Sequence, residues 1–368
     1  MNNTSILFKS LKLGELTIPN RIIMAAMTRM RCDNETKVPN NIVADYYSQR
    51  ASAGLILTEC TLVSQRSNAF PGCAGILNEE QVEGWKKVID AVHKKNGRIA
   101  LQIWHSGRAT HSNLQGGQIP WAPSPIAING VNYAVKQPHE VPHEMTIEDI
   151  KLVIQQFKEG AYRAKKAGFD AIELHGANGY LVDQFLRSHS NKRNDLYGGS
   201  VENRSRFCLE VIDELIQVFG KGRVGLKVSP LGRYNDMFDE DPIKLYTYLF
   251  KELDKRQIAF IEIMNSKDED NCYGYGHPAS EKQVPNLLQQ LRPSFKGVII
   301  GNVGLTALTA AQGIEQGLFD AASFGTLYIG NPDLVERFKD NLKLSDSDPK
   351  KYFGGNHEGY SDYPPFQG

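Results

Sequence analysis

Three polar side chains fall within six positions of the stretch ELHGANGYLVDQF, residues 173–185: His175, Asn178 and Tyr180. An imidazole, a carboxamide and a phenol can between them donate hydrogen bonds, accept them and pass a proton. A plain connection after a strand needs a turn residue or two and none of these groups. The glycines between them, Gly176 and Gly179, let the backbone bend freely. Such crowding points to a site.

Other segments offer further groups. Lys227 stands inside the apolar run VGLKVS, where an ammonium without a counter-charge is costly, so it reads as functional. Gln102 and Trp104 lie in LQIWHSGR, and Thr28 follows IIMAAM. Taken singly, each has an ordinary reading. Thr28 is a strand hydroxyl bonded to backbone, Gln102 satisfies a carbonyl, Trp104 is core, and His175 is a satisfied core histidine. The group is harder to dismiss than any member. The other histidines, among them His93, His139 and His143, read as surface or loop residues, and Asp183 and Gln184 as helix caps or faces.

The elements that must position these groups are read from the hydrophobic pattern. Short apolar runs at 22–27, 55–63, 98–104, 170–175, 224–229, 258–264, 297–302 and 321–325 read as eight strands. Helical stretches fall between them. One starts at an Asn78 cap with Val82, Trp85, Ile89 and Val92 on one face. Another starts at Thr146 with Asp149 three residues on and ends at Gly168. A third carries Phe207, Val211, Leu215 and Val218. Fully apolar strands alternating with helices imply a parallel sheet covered by helices, and eight such units favour a closed (β/α)8 TIM barrel over an open sheet. Residues 6–20 add an N-terminal β-hairpin turning at Gly14, residues 345–368 form a C-terminal tail, and the whole chain, 1–368, reads as one domain. The irregular stretches 105–145 and 265–285 follow strands and are expected over the C-terminal mouth, where such barrels keep their active sites. His175, Asn178, Tyr180, Lys227, Gln102, Trp104 and Thr28 all fall at strand ends on that mouth. The last two strand ends, IGNVG and FGT, suit close backbone approach to a phosphate.

Composition narrows the partners. Lys+Arg and Asp+Glu are 42 each, so no net charge draws the chain to nucleic acid or an anionic membrane. No run reaches membrane-spanning length and the N-terminus lacks a signal-peptide pattern. Five scattered cysteines, Cys32, Cys60, Cys73, Cys208 and Cys272, contain no C-x-x-C. They give no cysteine support for a zinc or iron–sulfur site, no metal is expected, and free thiols point to a reducing cytoplasm.

The segments NRIIMAAMTR, LQIWHSGR, FDAIELHGANGYLVDQFL, NDLYGGSVENRSRF and NPDLVERF, in order along the chain, resemble the old yellow enzyme family of flavoprotein ene-reductases. The resemblance implies a TIM barrel with tightly but non-covalently bound FMN across its mouth. It implies NADPH or NADH as reductant, an electron-poor alkene as substrate, and a monomer or homodimer. It assigns FMN contacts to Ala26, Met27, Thr28, Cys60, Gln102, Lys227, Asn302, Val303, Gly325 and Thr326. Within that set, Thr28 would meet flavin O4, Gln102 the pyrimidine edge, Lys227 the N1/O2 region, and the last four the phosphate. His175 and Asn178 would bond the substrate carbonyl, Tyr180 would protonate the α-carbon while flavin N5 delivers hydride to the β-carbon, and Trp104 would wall the pocket. Four residues depart from the family's usual pattern. Lys227 replaces an arginine, Thr326 replaces an arginine on the phosphate, Ala26 replaces a proline, and Phe353 replaces a pocket tyrosine. Two other readings compete: a barrel lyase or aldolase using Lys227 as a Schiff base, and a flavin-binding protein without turnover, which the intact Tyr180 and His175–Asn178 pair oppose.

Overall fold

A computed structural model describes residues 4–265 and 286–366. Two strands, β1 (Leu11–Leu13) and β2 (Leu16–Ile18), pair antiparallel around Gly14, whose φ of 59° a side chain would strain. Eight parallel strands follow: β3 (Ile22–Met24), β4 (Leu55–Leu57), β5 (Ile99–Trp104), β6 (Ala171–Gly176), β7 (Val224–Val228), β8 (Phe260–Met264), β9 (Val298–Asn302) and β10 (Ala321–Phe324). They pair in chain order, and β10 returns to β3, so the sheet closes on itself. All eight expected strands are present. The run at 55–63 is not one strand, however. It stops at Leu57, and a short pair at Thr61–Leu62 follows. Glu59 turns away from the ladder there to accept the backbone N–H groups of Arg29 and Met30.

Helices cover the outside where their caps and apolar stripes predict. Asn78 caps α2 (Glu79–His93) by accepting from Gln81 N, the neighbour before it being α1 (Asn41–Gln49). Thr146 and Asp149 form a reciprocal capping box at the start of α3 (Ile147–Ala167), and Gly168 ends it at φ 104°. Each such cap stabilises its helix by about 1 kcal/mol. The short α4 (Leu181–Leu186), then α5 (Val201–Phe219) and α6 (Pro242–Arg256), complete the side of the barrel that carries the site.

The core has two separate parts that matter for the mouth. Leu13, Leu16 and Ile18 of the hairpin pack with Ile23, Leu55, Leu57, Ala100, Ala171, Phe260 and Ile300, so the hairpin plugs the N-terminal end of the barrel. At the other end, Cys60, Leu62, Cys73, Trp104, Ile128 and Tyr180 form an apolar cluster of their own. The excursion 105–145 lies over that end, as expected: the His105 carbonyl accepts from Leu181 N, and Arg193 donates to the Pro123 and Met145 carbonyls. Most of the second excursion, with Cys272, lies outside the described residues. The tail is fastened to the loop after β3. Arg29 donates to the Tyr352 and Gly359 carbonyls, and Arg31 to those of Lys351, Tyr352, Asn356 and Glu358.

Candidate active site

The loop after β6 is built to hold a left-handed turn. Asn178 has φ 57° and Gly179 φ 71°. Asn178 N donates to Ser229 Oγ at 2.8 Å, its carbonyl accepts from Asn235 Nδ2 at 2.8 Å, and Gly179 N donates to Asp183 Oδ2 at 2.9 Å. Gln184 donates to the Ser106 and Gly179 carbonyls and accepts from Arg108 N. Asp183 and Gln184 are therefore braces of this loop, both fully buried, and more than helix faces. The two glycines do different work. A Cβ on Gly179 would lie 2.6 Å from Asn235 Cβ and 2.7 Å from the Tyr234 carbonyl oxygen. Gly176 ends a regular strand, where a Cβ would meet Leu226 at 2.9 Å. It gives close packing rather than the backbone freedom expected of it.

These constraints bring His175 and Tyr180 together, with Asn178 in the turn between them. The Tyr180 ring stands edge-on to His175, with centroids 5.1 Å apart, and edge-on to Trp104 at 5.0 Å. His175 Nδ1 accepts from Ala177 N at 3.3 Å, so the neutral ring carries its hydrogen on Nε2. Burial first, then the Lys227 charge, pushes the imidazole down to about 3, which keeps it neutral at physiological pH. Burial raises the Tyr180 phenol well above its usual range, so it keeps its proton. The site thus sets a neutral N–H donor beside a protonated phenol. Trp104 is fully buried, with Nε1 unpaired, and backs Tyr180 rather than standing open. Among the remaining histidines, His105 is a loop residue but not a surface one: it is buried and its ring is pushed to about 3 by burial and Arg66.

Below this group the barrel interior is polar. Lys227 Nζ lies 3.0 Å from Glu262 Oε2, which supplies the counter-charge an isolated ammonium would lack. Glu262 Oε1 accepts from Asn302 Nδ2 at 3.1 Å and from the Ser323 hydroxyl, which in turn accepts from Asn302. Gln102 Nε2 donates to Glu173 Oε1 at 2.7 Å, so one of its two N–H groups is engaged within the barrel and its carbonyl oxygen remains for another partner. Register places His175 and Glu262 directly beside Lys227 on the two flanking strands. Burial and the Glu262 charge raise the Glu173 carboxyl well above the carboxylate range. Sequence reading missed Glu173, Glu262 and Ser323. A single acid inside each of the apolar runs AIEL and AFIEI was the available signal, because a buried carboxylate demands a partner.

The remaining candidates ring the mouth. Thr28 Oγ1 and Cys60 Sγ are 3.1 Å apart, and Met27 lies beside Gly325. Ala26, Met27, Thr28, Val303 and Gly325 are partly exposed and Thr326 exposed, while Cys60 and Asn302 are buried just beneath. Val303 has φ 78°, followed by Gly304 at 70°. A β-branched residue in the left-handed region is a strained turn, and such strain gathers where backbone is shaped for a ligand. The donor set fits FMN: a strained, glycine-flanked turn for the phosphate, a cation and an amide below, and hydroxyl, thiol and thioether at the side. Phe353 is 53% exposed, next to Gly354, whose N–H donates to the Arg29 carbonyl one residue past Thr28. Among the described residues no cluster of His, Cys, Asp and Glu could hold a metal ion.

Comparison with known proteins gives a consistent result. Residues 6–345 match the NADH:flavin oxidoreductase / NADH oxidase family. A probable flavin mononucleotide-dependent alkene reductase of Leishmania infantum is 41% identical, with 98% of this chain and 97% of the relative covered. 12-Oxophytodienoate reductase 7 of Oryza sativa subsp. japonica is 35% identical over 97% of this chain and 94% of the relative. Among solved structures, morphinone reductase superposes with a TM-score of 0.91 at 39% identity, covering 98% and 96% of the two chains. The old yellow enzyme from Trypanosoma cruzi gives 0.92 at 35% identity, covering 99% and 100%.

Proposed function

The chain belongs to the NADH:flavin oxidoreductase / NADH oxidase family, and from that premise we propose how its residues divide the work of reducing an activated alkene. It is an FMN-dependent oxidoreductase of the old yellow enzyme type, taking electrons from NAD(P)H and reducing the C=C bond of α,β-unsaturated carbonyl compounds. Bound FMN supplies the redox centre through which electrons pass from nicotinamide to alkene.

The protein's part is to hold, polarise and protonate. Asn302, Val303, Gly325 and Thr326 would hold the phosphate. Lys227 and the free oxygen of Gln102 would face the pyrimidine end, and Ala26, Met27, Thr28 and Cys60 would line the remaining edge. His175 Nε2–H and the Asn178 carboxamide donate to the substrate carbonyl oxygen and stabilise the charge that grows there. Tyr180 gives its proton to the α-carbon, a role suited to a phenol that burial keeps protonated. Trp104 supports Tyr180 from behind, and Phe353 stands at the outer rim of the substrate pocket. The observation that carries this reading is the neutral His175, with its hydrogen on Nε2, edge-on to Tyr180 and directly beside Lys227 in register.

The lyase reading is not favoured. Imine formation needs a free amine, and Lys227 is an ammonium locked against the Glu262 carboxylate. The chain works as one domain in the cytoplasm, as a monomer or homodimer. The buried free thiols Cys32, Cys60, Cys73 and Cys208, and the lack of any membrane-spanning helix among the described residues, support that placement. The test is anaerobic: the yellow protein should bleach with NADPH or NADH and regain colour on mixing with an enone. Bleaching without recovery across a panel of electron-poor alkenes would reject the assignment.

A further inference from the structure

We propose that Glu262 is a positioning residue for the reductive chemistry: by pairing with Lys227 it sets how much positive charge the barrel floor presents to the pyrimidine end of the bound flavin. The inference rests on the functional reading above, which puts Lys227 under that end.

Glu262 is fully buried, with one oxygen 3.0 Å from Lys227 Nζ. The two residues are register partners on β7 and β8, so the backbone fixes their meeting. The other oxygen of Glu262 is held by the Ser323 hydroxyl and the Asn302 amide, from β10 and β9. The carboxylate therefore has no freedom to swing away from the ammonium. Glu173, on the strand at the other side of β7, gives Oε1 to Gln102, and burial and the Glu262 charge raise its carboxyl well above the usual range. Lys227 and Glu262 then lie side by side in the floor as a cation and its counter-charge. A lone cation would favour the electron-rich reduced cofactor, and a carboxylate 3.0 Å from it offsets much of that field. Asn302 hangs on the same carboxylate, so Glu262 also joins the residues expected at the two ends of the cofactor. It touches no reacting atom and acts through its charge, which offsets that of Lys227, and through its hold on Asn302.

The experiment measures the flavin midpoint potential of the purified holoprotein by anaerobic dye equilibration, with bound FMN checked from the absorption spectrum. Glu262→Gln should shift the potential positive, because the cation is uncovered. Lys227→Met should shift it negative. Lys227→Met with Glu262→Gln removes both charges and should return the potential towards that of the parent. Glu262→Asp keeps the charge and should stay near the parent. If Glu262→Gln does not fold, the step from Lys227→Met to the double variant reads the same carboxylate. An unmoved potential in a Glu262→Gln protein that retains FMN, or equal shifts for Glu262→Gln and Glu262→Asp, would overturn the inference alone. A parent protein that binds no FMN would overturn the functional reading and this inference with it.

Discussion

The loop after β6 and the floor of the barrel both hold polar groups away from water, in opposite ways. The loop concentrates His175, Asn178 and Tyr180 within six residues, and its braces Asp183 and Gln184 come from the helix that follows directly. The floor draws Gln102, Glu173, Lys227, Glu262, Asn302 and Ser323 from six different strands, one apiece. A local constellation can present side chains to a ligand because each keeps one free group. A distributed one spends most of its groups on one another, and offers a ligand the few left over together with a fixed field. Change in the first should therefore alter a single chemical step, and change in the second should alter stability or the cofactor's properties.

The largest expected effect tests the first half of that contrast. Tyr180→Phe should slow reoxidation of the reduced protein by an enone by roughly 100- to 10,000-fold, while reduction by NAD(P)H proceeds at nearly the parent rate. Stopped-flow measurement of the two half-reactions separates them, and equal slowing of both would remove Tyr180 from the proton-donor role.

Next comes the backbone beneath that step. Gly179→Ala must place a methyl group against Asn235 and the Tyr234 carbonyl in a left-handed turn. It should cost roughly 4 kcal/mol of stability, read by urea unfolding. A negligible loss would show that the loop is less tightly braced than its hydrogen bonds imply.

The smallest effect concerns a second long-range acid. Glu59 holds the loop carrying Thr28 through the N–H groups of Arg29 and Met30, and burial raises its carboxyl from 4.5 to about 7. A folded-state value raised in this way means that the fold favours the protonated acid. The associated stability is complete below about pH 4.5 and is lost as pH rises through about 7. The loss is about 3 kcal/mol. Below about pH 6.5 the neutral, buried His105 and His175 act in the opposite direction, since the unfolded chain takes up their protons. Comparison with Glu59→Gln isolates the glutamate. The variant should gain about 3 kcal/mol over the parent between pH 4.5 and 7.5 and nothing further above that. A constant difference across that window would show that Glu59 is ionised throughout.

The same contrast explains what could be read in advance. Asn78, Thr146 and Gly168 mark helix ends by short-range chemistry, and the eight apolar runs are strands whose burial on both faces shows in their composition. The break at Glu59 was not legible, because it depends on Arg29 and Met30, thirty residues away in the chain. Nor was the role of Gly176, whose constraint comes from Leu226 on the next strand.

By itself the sequence determined the barrel, its N-terminal hairpin, and the cluster of imidazole, amide and phenol after one strand, because periodicity, capping and turn chemistry act over a few residues. Tertiary structure alone decided the partners of Lys227, the engaged donor of Gln102, the hydrogen on His175 Nε2, and the neutrality of the ring that carries it. Each of these depends on which side chains face one another across the closed sheet, and on how much water the closure removes. A linear pattern of residue types records neither.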